Sequence, residues 1–200
     1  GRKDKFECAL TEKNLSSSAL GDNVLTYISM NGRVQIDLLK VVQRDYKLPS
    51  YKLDAVTDNF IRGKMSWLGG NNTKSNVFIV ENANQLIKGN YVCLTQEKDG
   101  DHFLGGKKLM ITNIEIPEIY KNDRKTYKGY VTLDVEIDKK HMDEGLSWGL
   151  AKDDVHYTDI FKLQDGSDSD RAIIAKYCIQ DCALLIRLID KLCVITNNIG

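Results

Sequence analysis

Four short runs constrain this chain more than any other feature: "NVFIV", "NYVCLTQ", "KLMITNIEI" and "GYVTLDVEI", spread between Asn76 and Ile137. Each has the length of one strand and is rich in Val, Ile, Thr, Tyr and Phe, which suit a pleated, half-buried surface. Turn signals part them: "KGN", "KDGD", "LGGK" and "KNDRK", with Gly, Asn and Asp where a chain reverses. A helical period is nearly absent here. Strands this short and this evenly spaced predict a small antiparallel barrel or curled sheet. Ahead of them, "RGKMSWLGGNNTKSN" holds Gly63, Gly69, Gly70, Asn71 and Asn72, which break any regular element. Residues 64–146 therefore read as a β-rich insertion between two flanks of different texture.

The first flank, residues 1–63, opens with a strand-like "NVLTYISM" behind a loop, "SSSALGD". "VQIDLLKVV" then alternates before turning into an apolar run, which predicts a buried strand leading into a helix. In "LPSYKLDAVTDNFI", Leu53, Val56 and Phe60 recur at helical spacing and Ser50 is placed to cap them. The second flank, residues 147–200, returns to helix and loop. "LSWGLAKDDVHYTDIFKL" predicts a short helix capped by Asp153 or Thr158. The long segment after "QDGSDSD" predicts the clearest helix, capped by Asp168 or Ser169, with Ile173, Ile174, Tyr177, Cys178, Leu184, Leu185, Leu188, Ile189 and Leu192 as its apolar stripe.

That helix carries an anomaly. Tyr177 and Asp181 are four residues apart, and side chains at i and i+4 lie above one another. A phenol and a carboxylate are thus presented to one point. Asp190 has Arg187 and Lys191 as near neighbours, but Asp181 lies at the margin of the apolar stripe, where a carboxylate needs a partner, a metal or water. Polar helix residues mostly serve the surface, so spacing alone does not make this pair a site.

Charge excludes some functions. Lys+Arg and Asp+Glu number 28 each, which argues against a basic nucleic-acid coat or an acidic tail while leaving room for a local basic groove. No apolar run approaches the roughly 20 residues of a membrane span. The opening "GRKDKFECAL" has no signal-peptide core and reads as a chain cut from something longer. Five cysteines show no CxxC pair and no histidine at zinc spacing, and the three histidines are scattered. The expectation is an intracellular protein with reduced thiols.

Two blocks resemble the exonuclease domain of family B DNA polymerases. "NGRVQIDLLKVVQRDYKLPSYKLDAVTDNFI" is similar to the segment after the second exonuclease motif, notably at Gly32-Arg33-Val34, Asp37-Leu38 and Ser50-Tyr51-Lys52-Leu53. "RAIIAKYCIQDCALLIRLIDKL" resembles the third motif, Tyr-x-x-x-Asp, here Tyr177 and Asp181. The wording "WGLAKDDV" through "ITNNIG" looks most like polymerases of large eukaryotic DNA viruses. The resemblance implies a mixed α/β (α+β) chain: a partial ribonuclease-H-like domain, interrupted by the barrel-like insertion, with a long C-terminal helix. It implies 3′–5′ proofreading by two divalent ions, Mg²⁺ or Mn²⁺, in a polymerase working on a primer 3′ end and template, in host cytoplasm or nucleus. Asp181 would be a metal ligand, and Tyr177 would hydrogen-bond the attacking water or the phosphate.

The family's Asp-x-Glu first motif and the second-motif Asp have no match here. "LDVEID" offers Asp134, Glu136 and Asp138 in alternation, but such a face on a short strand is usually solvated. One carboxylate binds Mg²⁺ poorly, so the chain by itself is expected to be inactive. A non-enzymatic alternative is a nucleic-acid or replication-partner module. It would use Phe78, Tyr91, Phe103, Tyr127 and Tyr130 beside Lys107, Lys108, Arg124, Lys125 and Lys128.

Overall fold

The computed structural model describes residues 9–18, 21–30, 32–121, 127–152, 155 and 157–199. The chain forms two compact units, Gly1–Tyr51 with Thr196–Gly200, and Lys52–Ile195.

In the first unit, β1 (Ala9–Ser17) and β2 (Gly21–Ser29) form an antiparallel ribbon that pairs Ala9 with Ser29 and Ser17 with Gly21. Ser16 and Ser17, expected in a loop, are thus paired residues. A two-stranded ribbon has no second layer to hide its apolar side chains, and Leu10, Val24 and Ile28 are exposed. The strand expected in "VQIDLLKVV" is absent: residues 33–37 are irregular and α1 spans Leu38–Asp45. Asp37 explains the difference, because its side chain accepts from the Leu39 N–H at 3.0 Å and caps the helix.

The second unit opens with α2 (Leu53–Phe60). Lys52, not Ser50, is its N-cap, and the Lys52 carbonyl accepts from Val56. Six strands then close a barrel: β3 (Arg62–Trp67), β4 (Lys74–Val80), β5 (Tyr91–Gln96), β6 (Leu109–Glu115), β7 (Gly129–Asp138) and β8 (Leu146–Ala151). The order around it is β3-β4-β7-β6-β5-β8, antiparallel throughout. Short helices α3 (Glu118–Lys121) and α4 (Lys139–Asp143) flank β7. All four quoted runs are strands. The register shifts at Ser75/Val77 and Ile111/Asn113, the second the one-residue shift of a bulge, interrupt the ladder where a small sheet curls shut. Phe78, Val92, Leu94, Leu109, Ile111, Val131, Leu133, Leu146, Trp148 and Leu150 are buried, as a side-chain-filled barrel requires.

Two strands of the barrel lie outside the expected set, as β1 does in the first unit. β3 occupies the stretch expected to break regular structure, and Gly63 serves packing there. A Cβ at Gly63 would stand 2.8 Å from the Trp148 indole nitrogen, which donates to the Glu81 carbonyl. β8 occupies "LSWGLA", which the sequence placed in a helix-and-loop flank ahead of the helix caps; all six of its residues are buried. It hydrogen-bonds β3 on one side and β5 on the other, and α2 packs against it. The close approach depends on Gly149, where a Cβ would lie 2.7 Å from Asp58 Cγ and 2.8 Å from the Asp58 carbonyl.

α5 (Tyr157–Gln164), α6 (Asp168–Lys191) and α7 (Val194–Ile199) complete the chain. Asp153 lies outside the described residues, and Thr158 is inside α5, not its cap. Ser167, one residue before the expected caps, starts α6. It exchanges hydrogen bonds with Asp170 in a capping box, and those bonds hold the Asp170 carboxyl below the usual range. The apolar stripe is split: Leu184, Leu188 and Leu192 are buried, whereas Ile173, Cys178 and Leu185 are exposed, as are Ile179 and Ile186. Arg187 turns from Asp190 and donates to the Gln85 carbonyl at 2.9 Å; burial lowers its pKa.

Candidate functional site

Tyr177 and Asp181 stand one turn apart on α6, as their spacing dictates, and both are half-buried. A third residue joins them. Lys152 follows β8 directly, and its ammonium donates to the Tyr177 hydroxyl oxygen at 2.5 Å and to Asp181 Oδ2 at 2.9 Å. The same nitrogen lies 4.4 Å from the centroid of the Tyr177 ring. The barrel's last strand thus delivers a cation to the face on which the long helix carries its phenol and carboxylate.

The electrostatics are those of a partly dry pair. The Lys152 side chain is 18% exposed and that of Asp181 28%. Burial opposes the charge on Lys152. The hydrogen bonds to Tyr177 and Asp181 and the charges of both outweigh it, and hold the ammonium above the ordinary lysine range. Asp181 Oδ1 is buried with no hydrogen-bond partner among the described residues. A buried carboxylate oxygen with a vacant lone pair is what a cation ligand presents. One such oxygen does not make a divalent-ion site, because Oδ2 is committed to Lys152. Among the described residues no group of three His, Cys, Asp or Glu is arranged to hold a metal ion. The described residues therefore do not hold two divalent ions by themselves.

The alternating acids are elsewhere. Asp134 and Glu136 face solvent on β7, Asp134 Oδ1 accepts from the Met110 N–H, and Asp138 is the N-cap of α4. Of the aromatic residues considered for strand binding, Phe78 and Phe103 are core. Tyr91, Tyr127 and Tyr130 are half-buried. Lys108 is engaged with the Lys152 carbonyl at 2.7 Å; Arg124 and Lys125 lie outside the described residues. A further carboxylate, Asp58, stacks over Gly149 on the barrel's outer side. Burial raises its pKa, against the pull of His102 and Arg62.

Sequence reasoning found Tyr177 and Asp181 and missed Lys152. A signal was present: Lys152 is the first charged residue after "LSWGLA", inside the "WGLAKDDV" wording that carries the resemblance.

Comparison with known proteins bears on the family of the chain. Residues 3–56 match the model of the family B DNA polymerase exonuclease domain. The DNA polymerase of Pyramimonas orientalis virus is 41% identical over 200 residues, covering 100% of this chain and 14% of that protein. The DNA polymerase of Acanthamoeba polyphaga mimivirus is 33% identical, over 94% of this chain and 13% of that protein. The DNA polymerase delta catalytic subunit of Dictyostelium discoideum is 25% identical over 91% of this chain and 9% of its own length. Residues 3–56 thus carry the match to the family B exonuclease domain, and the whole chain is similar to DNA polymerases. Within them it is similar to viral and delta-type enzymes, and it corresponds to a small part of their length. The first of these matches runs through the whole chain, so the β-rich block, which sequence reading left without a counterpart, has one in that viral polymerase. Exonuclease domains of polymerases generally use divalent metals. No helix among the described residues is long and apolar enough to cross a membrane.

Proposed function

We propose that this chain supplies part of the 3′–5′ proofreading site of a family B DNA polymerase, with Tyr177, Asp181 and Lys152 acting on the 3′-terminal phosphodiester of a DNA primer. The observation that carries the reading is one nitrogen, Lys152 Nζ, holding Tyr177 Oη and Asp181 Oδ2 together. Residues 1–63 and 147–200 are parts of a ribonuclease-H-like domain, and residues 64–146 are its β-rich insertion, with barrel strands reaching a few residues into both flanks. The remaining carboxylates and the DNA template contacts come from other parts of the polymerase.

The chemistry of these three side chains follows from their bonds. Lys152 donates into the Tyr177 oxygen, which leaves the phenolic O–H directed to a phosphate oxygen or a water; donation into an oxygen strengthens the bond it gives onward. The ammonium also sets a positive charge where a phosphate gains negative charge, in a part-buried place where such charges count for more than in water. Asp181 fixes Lys152 through Oδ2 and keeps Oδ1 as one ligand position for Mg²⁺ or Mn²⁺, which binds only when the other carboxylates are present.

The test is hydrolysis of 5′-labelled single-stranded DNA with Mg²⁺ or Mn²⁺. It compares this chain, a version extended upstream to add the other acidic motifs, and the Asp181→Ala form of each. The reading expects shortening from the 3′ end by the extended wild type alone. Activity of the extended chain regardless of Asp181 would overturn it.

A further inference from the structure

The proposed nuclease reading leaves the barrel without a task, yet the barrel holds one of the three site residues. Lys152 lies one position beyond Ala151, the last paired residue of β8. Its own carbonyl lies past the end of the ladder and accepts from Lys108 Nζ at 2.7 Å. Lys108 is the residue before β6. Between β6 and β8 runs β5, whose Tyr91 pairs with Met110 on one side and Ala151 on the other. The Lys108 side chain therefore links the two strands that flank β5. It ties the start of β6 to the point where the chain leaves the barrel for the site.

We infer that Lys108 is a positioning residue for the site: by holding the Lys152 carbonyl it fixes the backbone from which the Lys152 ammonium reaches Tyr177 and Asp181. This rests on the reading of those residues as a nuclease site. It assigns the β-rich block a role in setting that site's geometry. The bond is of the strong kind, a charged donor on a backbone acceptor. It acts where tolerance is small, because a catalytic group displaced by about 1 Å can lose two orders of magnitude in rate.

The test uses the polymerase chain that contains this segment, with single-turnover hydrolysis of labelled single-stranded DNA. Lys108→Met keeps the length and removes the donor; Lys108→Arg keeps a charged donor. Loss of one charge-assisted bond corresponds to about a tenfold lower rate, so Lys108→Met should lose about that factor in kcat with little change in KM. Lys108→Arg should recover most of it. In a Lys152→Met background, Lys108→Met should have no further effect, because its action passes through Lys152. Equal losses in both backgrounds would make the role merely structural and overturn the inference, as would full activity of Lys108→Met. If Asp181→Ala and Lys152→Met both retain hydrolysis, the nuclease reading has failed. The positioning claim is then judged in this 200-residue chain by the ammonium NMR signal of ¹⁵N-labelled Lys152. That signal should be protected in wild type and Lys108→Arg and lost in Lys108→Met, and its persistence in Lys108→Met would sink the claim. Lys108→Gln, with a neutral donor, serves if the Met variant does not fold.

Discussion

Replacing Lys152 with Met tests whether the three-residue cluster is a physical unit. Met keeps much of the apolar stem that Lys packs but removes two donated hydrogen bonds and the cation beside the Tyr177 ring. Hydrogen bonds to charged groups contribute about 1.5–3 kcal/mol, fully exposed ion pairs about 0–1 kcal/mol. With side chains 18% and 28% exposed, this pair falls between. Among the described residues Asp181 would be left with both oxygens unpartnered, since Oδ1 already is. A loss of about 2 kcal/mol is expected, which for a chain of this size lowers Tm by about 4–8 °C. Calorimetry or circular dichroism reads it. Adding Asp181→Leu should return most of the loss, because removing both partners of a buried polar pair costs far less than removing one. The pH dependence has a definite sign. The folded-state pKa of Lys152 is raised, so its contribution is full below the ordinary lysine value and vanishes as pH rises through the folded value. The wild type and Lys152→Met should thus differ by a constant amount at neutral pH and converge in strong alkali. A Lys152→Met protein as stable as wild type, or one that Asp181→Leu destabilises further, would refute the reasoning.

Two further outcomes follow from the junction of α2 and β8. Gly149→Ala would press a Cβ to within 2.8 Å of the Asp58 carbonyl, which cannot rotate away as a side chain can, so overpacking should cost about 1–3 kcal/mol in thermal or denaturant unfolding. Asp58 has a buried Oδ1 without a partner among the described residues and a pKa raised by burial, so stability should fall as pH rises from the usual carboxylate value through the raised one. Asp58→Asn removes that slope, and an unchanged difference between wild type and variant across this window would contradict the assignment.

The four runs were legible because β-branched and aromatic composition and turn residues act locally, and each of them became a strand. β3 and β8 were not legible, for one physical reason. Their glycines, Gly63 and Gly149, look like breakers in sequence, whereas in the barrel they are places where an indole and a helix come too close for a Cβ. β8 is also covered on both faces, so "LSWGLA" alternates large with small residues and lacks the apolar–polar alternation of a half-exposed strand. The strand expected in "VQIDLLKVV" failed for a local reason of the opposite kind. Asp37 at the end of the alternating run offers the backbone a cap, and the helix starts there instead.

The site divides along the same line. Tyr177 and Asp181 were visible because one helix sets their relation, and a helix is nearly rigid over one turn. Lys152 was invisible because its place depends on a barrel closing 25 residues earlier in sequence than the Tyr177 it binds. That closure depends in turn on β3 and β8, the two strands whose glycines hid them. The bond from Lys108 to the Lys152 carbonyl crosses 44 residues of sequence, and no spacing rule reaches that far. A chain can thus declare the residues carried on one element while concealing the one that brings them to a common point. That one is found only when the strands before it are placed in register. By that logic Lys152, rather than the motif pair, is where a change in the barrel would first be felt by the site.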